Sequence, residues 1–316
     1  MKHRDLNRRP PNSLLALAAS LLAFTAPLPA HADESGVQAH LDDLKSFKLI
    51  AHRGASGYAP EHTWAAYDKA REMGGDYLEL DLHMSADGEI IVIHDDSLDR
   101  TTNGAGKVQE HNLEQLKALD AGSWFNEKYP DRADETYVGA KLMTLDEVIG
   151  RYGDEVRYYI ETKSPQRYPA LQRELVETLD EAGLIESGSV VIQSFSQASL
   201  KEIHGLNADI PLVQLLWYSP REEGGLKEWN DTTPAPKDMN DADFQQIASY
   251  AIGLGPNVIY RGKEVIDQGF IEQAHNNGLI VHPYTINEPE QMQRLIGWGV
   301  DGMFTDFPDR LRALVD

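Results

Sequence analysis

The chain has 316 residues, 41% of them hydrophobic and 25% charged, and its 29 Lys and Arg against 51 Asp and Glu leave a net charge of −22. That balance excludes wholesale disorder and collagen-like order, and the acidic surplus argues against a general nucleic-acid binder, whose phosphate contacts need clustered Lys and Arg. The absence of cysteine removes disulfides, thiolate nucleophiles and Cys-ligated zinc or iron–sulfur clusters.

Lys2, Arg4, Arg8 and Arg9 form a basic start, and an apolar run follows from Leu14 to Leu28. Interrupted by Ser20, Thr25 and Pro27, the run is short for a bilayer span, which needs about 20 apolar residues. It ends at Ala30-His31-Ala32, a small-x-small cleavage pattern. Residues 1–32 are therefore expected to be a cleaved secretory signal peptide, with an uncleaved anchor as the alternative. Arg8-Arg9 matches a twin-arginine signal only weakly. Residues 33–316 are expected to be a single periplasmic or secreted domain, with 25 basic and 50 acidic side chains and no stable membrane insertion.

Beyond a polar entry segment, residues 48–52 (Lys-Leu-Ile-Ala-His) read as a buried strand, followed by helix-period residues over 63–73 and a Gly74-Gly75 stop. The alternation continues, with strands expected at 77–83, 156–163, 190–195, 212–217, 252–255, 279–285 and 302–305. Helices are expected at 144–152, 168–182, 197–206, 241–250, 263–276, 288–297 and 310–315. Eight strand–helix units in a chain of this length predict a (β/α)8 TIM barrel, with a doubly wound open sheet as the alternative. A further β-like run at 89–94 follows the second strand after only Ser85-Ala86-Asp87-Gly88, too tight a link for parallel strands. Asp87-Gly88 suits a hairpin turn, so 90–94 is expected to return antiparallel, outside the barrel count. Residues 95–143 then form a long excursion over the C-terminal mouth, and 221–240 a second long polar loop.

Catalytic groups of such barrels collect at the C-terminal strand ends. The first strand ends in His52-Arg53-Gly54, the hairpin in His94-Asp95, and the next parallel strand in Glu161-Thr162-Lys163. Glu79 and Asp81 share one face of the second strand, about 7 Å apart along it. Tyr77, Leu78, Leu80 and Leu82 suggest that the outside of this strand is buried; His83 shares the carboxylate face but is left out of the ligand set. Singly, these residues fit bland roles: a hydrogen-bonded structural His, a solvated strand face, a surface ion pair. They all fall on one rim. Three carboxylates within about 5 Å repel by roughly 3 kcal/mol per pair at an effective dielectric of about 20. A divalent cation relieves that, and oxygen donors suit Ca²⁺ or Mg²⁺.

His52-Arg53-Gly54, Pro60-Glu61-His62-Thr63, Glu79-Leu80-Asp81, His94-Asp95, Arg100-Thr101-Thr102-Asn103-Gly104, Glu161-Thr162-Lys163, Ser194-Phe195 and Thr305-Asp306 occur in that order. The ordered set resembles the glycerophosphodiester phosphodiesterases, from about Leu49 to the C-terminus. The resemblance implies a TIM barrel that hydrolyses glycerophosphodiesters to sn-glycerol 3-phosphate and an alcohol such as choline or ethanolamine. By the same resemblance, His52 and His94 look like the acid/base pair, and Glu79, Asp81 and Glu161 like the metal ligands, with Ca²⁺ the expected ion and Mg²⁺ the alternative. Arg53 and Lys163 match phosphate-contacting residues, and Glu61 a carboxylate near the site. His62 stands where the family usually has Asn, and Tyr284 where many members have Trp. Phe195, Tyr284 and Trp217 are candidates for an apolar wall facing the glycerol.

Competing readings are a related barrel lipase of the phosphatidylinositol phospholipase C or sphingomyelinase D kind, a carbohydrate-acting barrel with paired carboxylates, and a non-catalytic secreted metal-binding protein. An apolar membrane-docking rim would favour the lipase, whereas 221–240 is polar and charged. The carbohydrate reading has no need of His52-Arg53 and Lys163.

Overall fold

The computed structural model describes residues 34–316; the expected leader lies outside the described residues. Eight parallel strands follow in chain order: β1 (Lys48–Ala51), β2 (Tyr77–Met84), β3 (Tyr158–Thr162), β4 (Val190–Ser194), β5 (Leu212–Leu216), β6 (Gly253–Pro256), β7 (Ile280–Val281) and β8 (Gly302–Thr305). Each of β1 to β6 pairs with its successor, and β8 pairs with β1. The seam between β7 and β8 is closed by Asp301 N–H to Val281 O (3.1 Å) and Phe304 N–H to Pro283 O (3.0 Å). Regular strand over 279–285 was expected, yet only Ile280–Val281 qualifies. Pro283 has no N–H, so this stretch cannot donate on both sides, although its carbonyl still accepts.

Helices α1 (Trp64–Glu72), α2 (Leu145–Tyr152), α3 (Leu171–Glu181), α4 (Gln197–Leu206), α5 (Asp241–Ala248), α6 (Gln268–Asn276), α7 (Pro289–Trp298) and α8 (Pro308–Val315) follow the strands in turn. The period-2 pattern of β2 explains the layering. Leu78, Leu80 and Leu82 point outward into the main core between sheet and helices, while Tyr77 joins an inner cluster with Ile50, Tyr159, Val191, Val213 and Phe304. Tyr77, expected on the outer face, belongs to the inner one, where its hydroxyl meets His40 Nε2 at 2.9 Å. His40 lies on the entry helix Glu34–Asp43, and Leu44, just after that helix, joins the inner cluster. The lower barrel is thus filled with apolar and aromatic side chains, and the polar residues of β2 stand above them.

The hairpin is present. Ile90–Val92 runs antiparallel to β2 with Leu82 opposite Val92, and Met143–Thr144 adds to its other edge. The excursion between them packs a small core of its own, including Ile93, Leu98, Val108 and Leu116. It is tied to the loop after β1 by Arg132 Nη1 donating to Gly57 O (2.6 Å) and Tyr137 OH donating to Tyr58 O (3.1 Å).

Two loops differ from expectation. Residues 263–276 were expected to be helical, but α6 begins at Gln268, capped by the Asp267 carboxylate accepting from Phe270 N at 3.2 Å. Before it, Ile259–Tyr260 and Lys263–Glu264 pair antiparallel around Arg261 and Gly262, whose positive φ values of 48° and 79° suit a tight hairpin turn. The polar loop 221–240 contains part of a second hairpin, Tyr218–Pro220 with Leu226–Glu228. No helix among the described residues is long and apolar enough to cross a membrane.

Candidate active site

β1 delivers His52 and then breaks sharply. Arg53 takes φ 58°, Gly54 φ 83°, and a Cβ on Gly54 would lie 2.7 Å from the backbone of Ala66 in α1. Only glycine allows that approach. The break presents the Arg53 N–H to Glu79 Oε2 at 2.8 Å and brings the guanidinium beside Glu61 (Nη1 to Oε1, 3.1 Å) and Asp81 (Nε to Oδ2, 3.3 Å). His62 also sits at positive φ, 54°. Non-glycine residues held there mark backbone that its surroundings over-determine. Thr63 caps α1, its side chain accepting from Ala66 N.

Each histidine of the expected pair has its own carboxylate. His52 Nδ1 lies 2.7 Å from Asp306 Oδ1, and His94 Nδ1 lies 2.6 Å from Asp95 Oδ1. An ionised carboxylate only accepts, so each Nδ1 carries the proton and each Nε2 is left as the ring's other functional atom. Asp306 is held in turn by Ser56 Oγ (2.9 Å) and Asn287 Nδ2 (2.7 Å). Asp95 is held by Arg100, which donates to both its oxygens (2.6 and 3.0 Å) and to both oxygens of Glu61 (2.8 and 2.7 Å). One guanidinium therefore fixes the partner of His94 and the partner of Arg53 together. His83 engages Tyr168 OH (3.0 Å) and the carbonyl of His94 (3.1 Å), steadying the hairpin arm that presents His94.

Below the histidines lies a layer of buried carboxyls. Asp81 and Glu161 are register partners across β2 and β3, and Glu79 is one pleat below Asp81. Lys163 Nζ is 3.0 Å from Glu161 Oε1 and 3.6 Å from Asp81 Oδ1. Burial, reinforced by neighbouring carboxylates, pushes Glu79 well above the usual carboxyl range and Glu161 up to about 8. Burial acts on Asp81 in the same sense, but Lys163, His94, His62 and Arg53 together hold it well below. Burial also lowers His94, against the pull of Asp81 and Asp95. Two carboxyls driven towards protonation in an oxygen-rich pocket fit a hard divalent cation, which replaces protons with positive charge.

His62, Glu79 and Asp81 each offer a donor atom within 4.8 Å of the others. This group includes His62 where the expected set has Glu161. His62 Nε2 lies 2.9 Å from Asp81 Oδ2, and its Nδ1 lies 2.8 Å from Tyr67 OH. With Nε2–H turned to the carboxylate, His62 orients Asp81, and Lys163 engages Glu161 on the other side.

His52, Arg53, Glu79, His94, Glu161 and Lys163 line one cavity of about 510 Å³, and Phe195, Trp217 and Tyr284 form its apolar wall. Trp217 and Tyr284 stack at 6.2 Å. Asp81 is buried beside Glu161, and Glu61 stands behind Arg53, away from the cavity. Sequence reasoning missed Asp306 and Arg100 as functional side chains. Both lay inside quoted motifs, but Asp306 meets His52 across 254 residues and Arg100 joins nearby Asp95 to Glu61, 39 residues away.

The sequence profile of the glycerophosphoryl diester phosphodiesterase family matches residues 52–310. The chain belongs to that family. It is 42% identical over 301 residues to a glycerophosphodiester phosphodiesterase of Bacillus subtilis, covering 94% of each chain. It is 34% identical over 269 residues to one of Caldanaerobacter subterraneus, covering 84% of this chain and 97% of the relative. Among solved structures, a putative family member from Silicibacter pomeroyi superposes with TM-score 0.70 at 26% identity, over 87% of this chain and 96% of that one. An Oleispira antarctica phosphodiesterase in complex with the product sn-glycerol-3-phosphate gives TM-score 0.65 at 26% identity, over 85% and 96%. The chain is a phosphoric diester hydrolase with the TIM-barrel fold of this family, and the buried acidic cluster accords with metal dependence.

Two predictions follow from the ion-pair network. Arg100→Met should lower kcat on a glycerophosphodiester by about 10²-fold, since small displacements of positioned groups cost that much. It should also move the pH–rate limb, and Arg100→Lys should recover part of the loss; an unaltered pH profile with normal kcat would show that the clamp is dispensable. Burial alone would raise Glu61 and Asp306, but Arg100 and Arg53 hold Glu61 at about 2, and His52, Asn287 and Ser56 hold Asp306 at about 2. Their unfolded-state values are higher, so their stabilisation is complete above about pH 4.5 and is lost as pH falls towards about 2. The urea midpoint should drop across that window and drop less in Glu61→Gln; equal slopes in both proteins would refute it.

Proposed function

We propose that the chain hydrolyses glycerophosphodiesters such as glycerophosphocholine or glycerophosphoethanolamine to sn-glycerol 3-phosphate and an alcohol, with His52 and His94 transferring the protons. The observation that carries this is the pair of imidazoles, each with Nδ1 fixed by its own carboxylate, lining one cavity above a layer of buried carboxyls. Glu79, Asp81 and Glu161 would hold the cation, Ca²⁺ in preference to Mg²⁺, because a mixed set of Asp and Glu carboxylates suits its less demanding coordination. When bound, the cation supplies Lewis-acid neutralisation of the phosphodiester.

Arg53 contributes a planar fork and Lys163 a point charge to the same anion. One histidine takes the proton from the attacking hydroxyl as its oxygen bonds to phosphorus. The other gives a proton to the oxygen of the departing alcohol as the P–O bond breaks. The adjacent glycerol hydroxyl is the nucleophile, and water then opens the cyclic phosphate with the proton roles reversed. The carboxylates at Nδ1 stabilise whichever ring is cationic.

Residues 1–32 act as a secretory leader removed after Ala32, so that residues 33–316 work as one domain in the periplasm or outside the cell. The basic start, apolar run and Ala-His-Ala site support this.

A product assay on glycerophosphocholine decides the activity. Exhaustive chelation should abolish turnover and Ca²⁺ or Mg²⁺ restore it; full activity in a verified metal-free sample would remove the cation from the reaction. His52→Ala and His94→Ala should each lower turnover by about 10²-fold or more, and the double variant should be little worse than the poorer single. Near-normal turnover in either folded single variant would remove that histidine from the chemistry. N-terminal sequencing of exported protein should read from Asp33, and a start upstream of Leu14 would make the run an anchor.

A further inference from the structure

A second cavity, of about 530 Å³, shares Glu161, Lys163 and Phe195 with the first. Its far wall is the loop after β5, which contributes Trp229, Asn230 and Asp231. Trp229 is 63% exposed, the most exposed large apolar side chain among the described residues. It is not loosely held. The buried Glu228 carboxylate accepts from the N–H groups of Asn230 (2.9 Å), Thr232 (2.9 Å) and Trp217 (3.3 Å). Asn230 Nδ2 donates to Phe195 O at 3.1 Å, and the Trp229 ring meets the Phe195 ring edge-on at 5.7 Å. A large indole pinned in water forgoes its burial energy, and its open face is a site for a cation.

A phosphodiester held at Arg53 and Lys163 has two alcohol arms. Away from the reacting groups, the first cavity is walled by Leu215, Trp217 and Tyr284 and adds no charged residue. Its buried Gln193 Oε1 has no hydrogen-bond partner and can accept from a hydroxyl. That chemistry suits the uncharged glycerol arm. The second cavity adds Asp231 to its lining, two positions along the chain from Trp229, and no Leu, Ile, Val or Met lines it, which disfavours an acyl chain. At the boundary, the Lys163 charge is already paired with Glu161 and Asp81, so it does not bar a cation from the space beyond.

We propose that Trp229 and Asp231 form the subsite for the leaving alcohol, and that it selects a cationic alcohol of the quaternary or primary ammonium class over a neutral polyol. The proposal rests on the phosphodiesterase activity argued above and names the substrate arm that this chain's own loop reads.

The test compares kcat/KM for glycerophosphocholine and glycerophosphoglycerol in the full-length mature protein and in Trp229→Ala, Trp229→Phe and Asp231→Asn. The choline-to-glycerol ratio should fall about tenfold in Trp229→Ala, the size of a cation–aromatic contact, and several-fold in Asp231→Asn. Trp229→Phe, which keeps an aromatic face, should retain most of the preference. An unchanged ratio in both Trp229→Ala and Asp231→Asn would overturn the subsite. So would a loss in Trp229→Ala confined to binding of phosphatidylcholine vesicles, which would make the indole a membrane contact. If the wild type turned over neither diester, the phosphodiesterase assignment itself would have failed. The subsite would then be judged by saturation-transfer NMR with choline alone: saturable binding lost in Trp229→Ala supports it, and no saturable binding in the wild type overturns it.

Discussion

Asp81 and Glu161 face each other across the β2–β3 ladder, and Glu79 sits one pleat lower on the same inward face, so the parallel register itself crowds three buried carboxyls at the floor of the cavity. The rest of the mouth answers that constraint. Arg53 and Lys163 approach from two sides, and backbone at positive φ in Arg53 and His62 is tolerated because it brings an N–H and an imidazole onto the cluster. Burial and mutual repulsion keep Glu79 and Glu161 biased towards protonation, while Asp81 takes most of the pairing with the neighbouring cations. A site that is electrostatically incomplete on its own is suited to a cation and an anionic substrate.

The two histidines of the proposed acid/base pair are carried very differently. His52 ends a central strand and is steadied by Asp306, just after β8, so its position follows from barrel closure. His94 comes from the hairpin arm, and its support is the excursion: Leu98, Val108 and Leu116 share a core with Ile91 and Ile93 of that arm, while Arg132 and Tyr137 anchor the segment to the loop after β1. The excursion therefore behaves as a second small scaffold against the barrel rather than as a loose flap.

Much of this was legible because it is periodic or local. The strand–helix rhythm exposed the barrel, the two-residue spacing of Glu79 and Asp81 exposed their common face, and Asp87-Gly88 exposed the hairpin. Three kinds of feature were not legible. Tyr77 shares the parity of Glu79 and Asp81 and so faces inward, but its partner His40 comes from the entry helix, which no local pattern ties to β2. The 263–276 segment has helical composition throughout, but Gly262 and the Asp267 cap spend its first residues on a turn. The Asp306–His52 and Arg100–Glu61 pairs are brought together by folding, and a single sequence carries no signal for such pairs. His62 was noticed only as a departure from pattern; its contact with Asp81 gives that departure a physical meaning.

The closure of β1 against β8 also bears on when the protein becomes competent during synthesis. His52 is made 254 residues before Asp306, and the hydrogen bonds sealing the barrel run through Asp301 and Phe304. A nascent chain holding every other motif would still lack the partner of one histidine and one side of the barrel wall. Non-local closure of this kind delays folding until the end of the chain is available. Barrel topology thus withholds the partner of His52 until β8 and the residues just after it have been made.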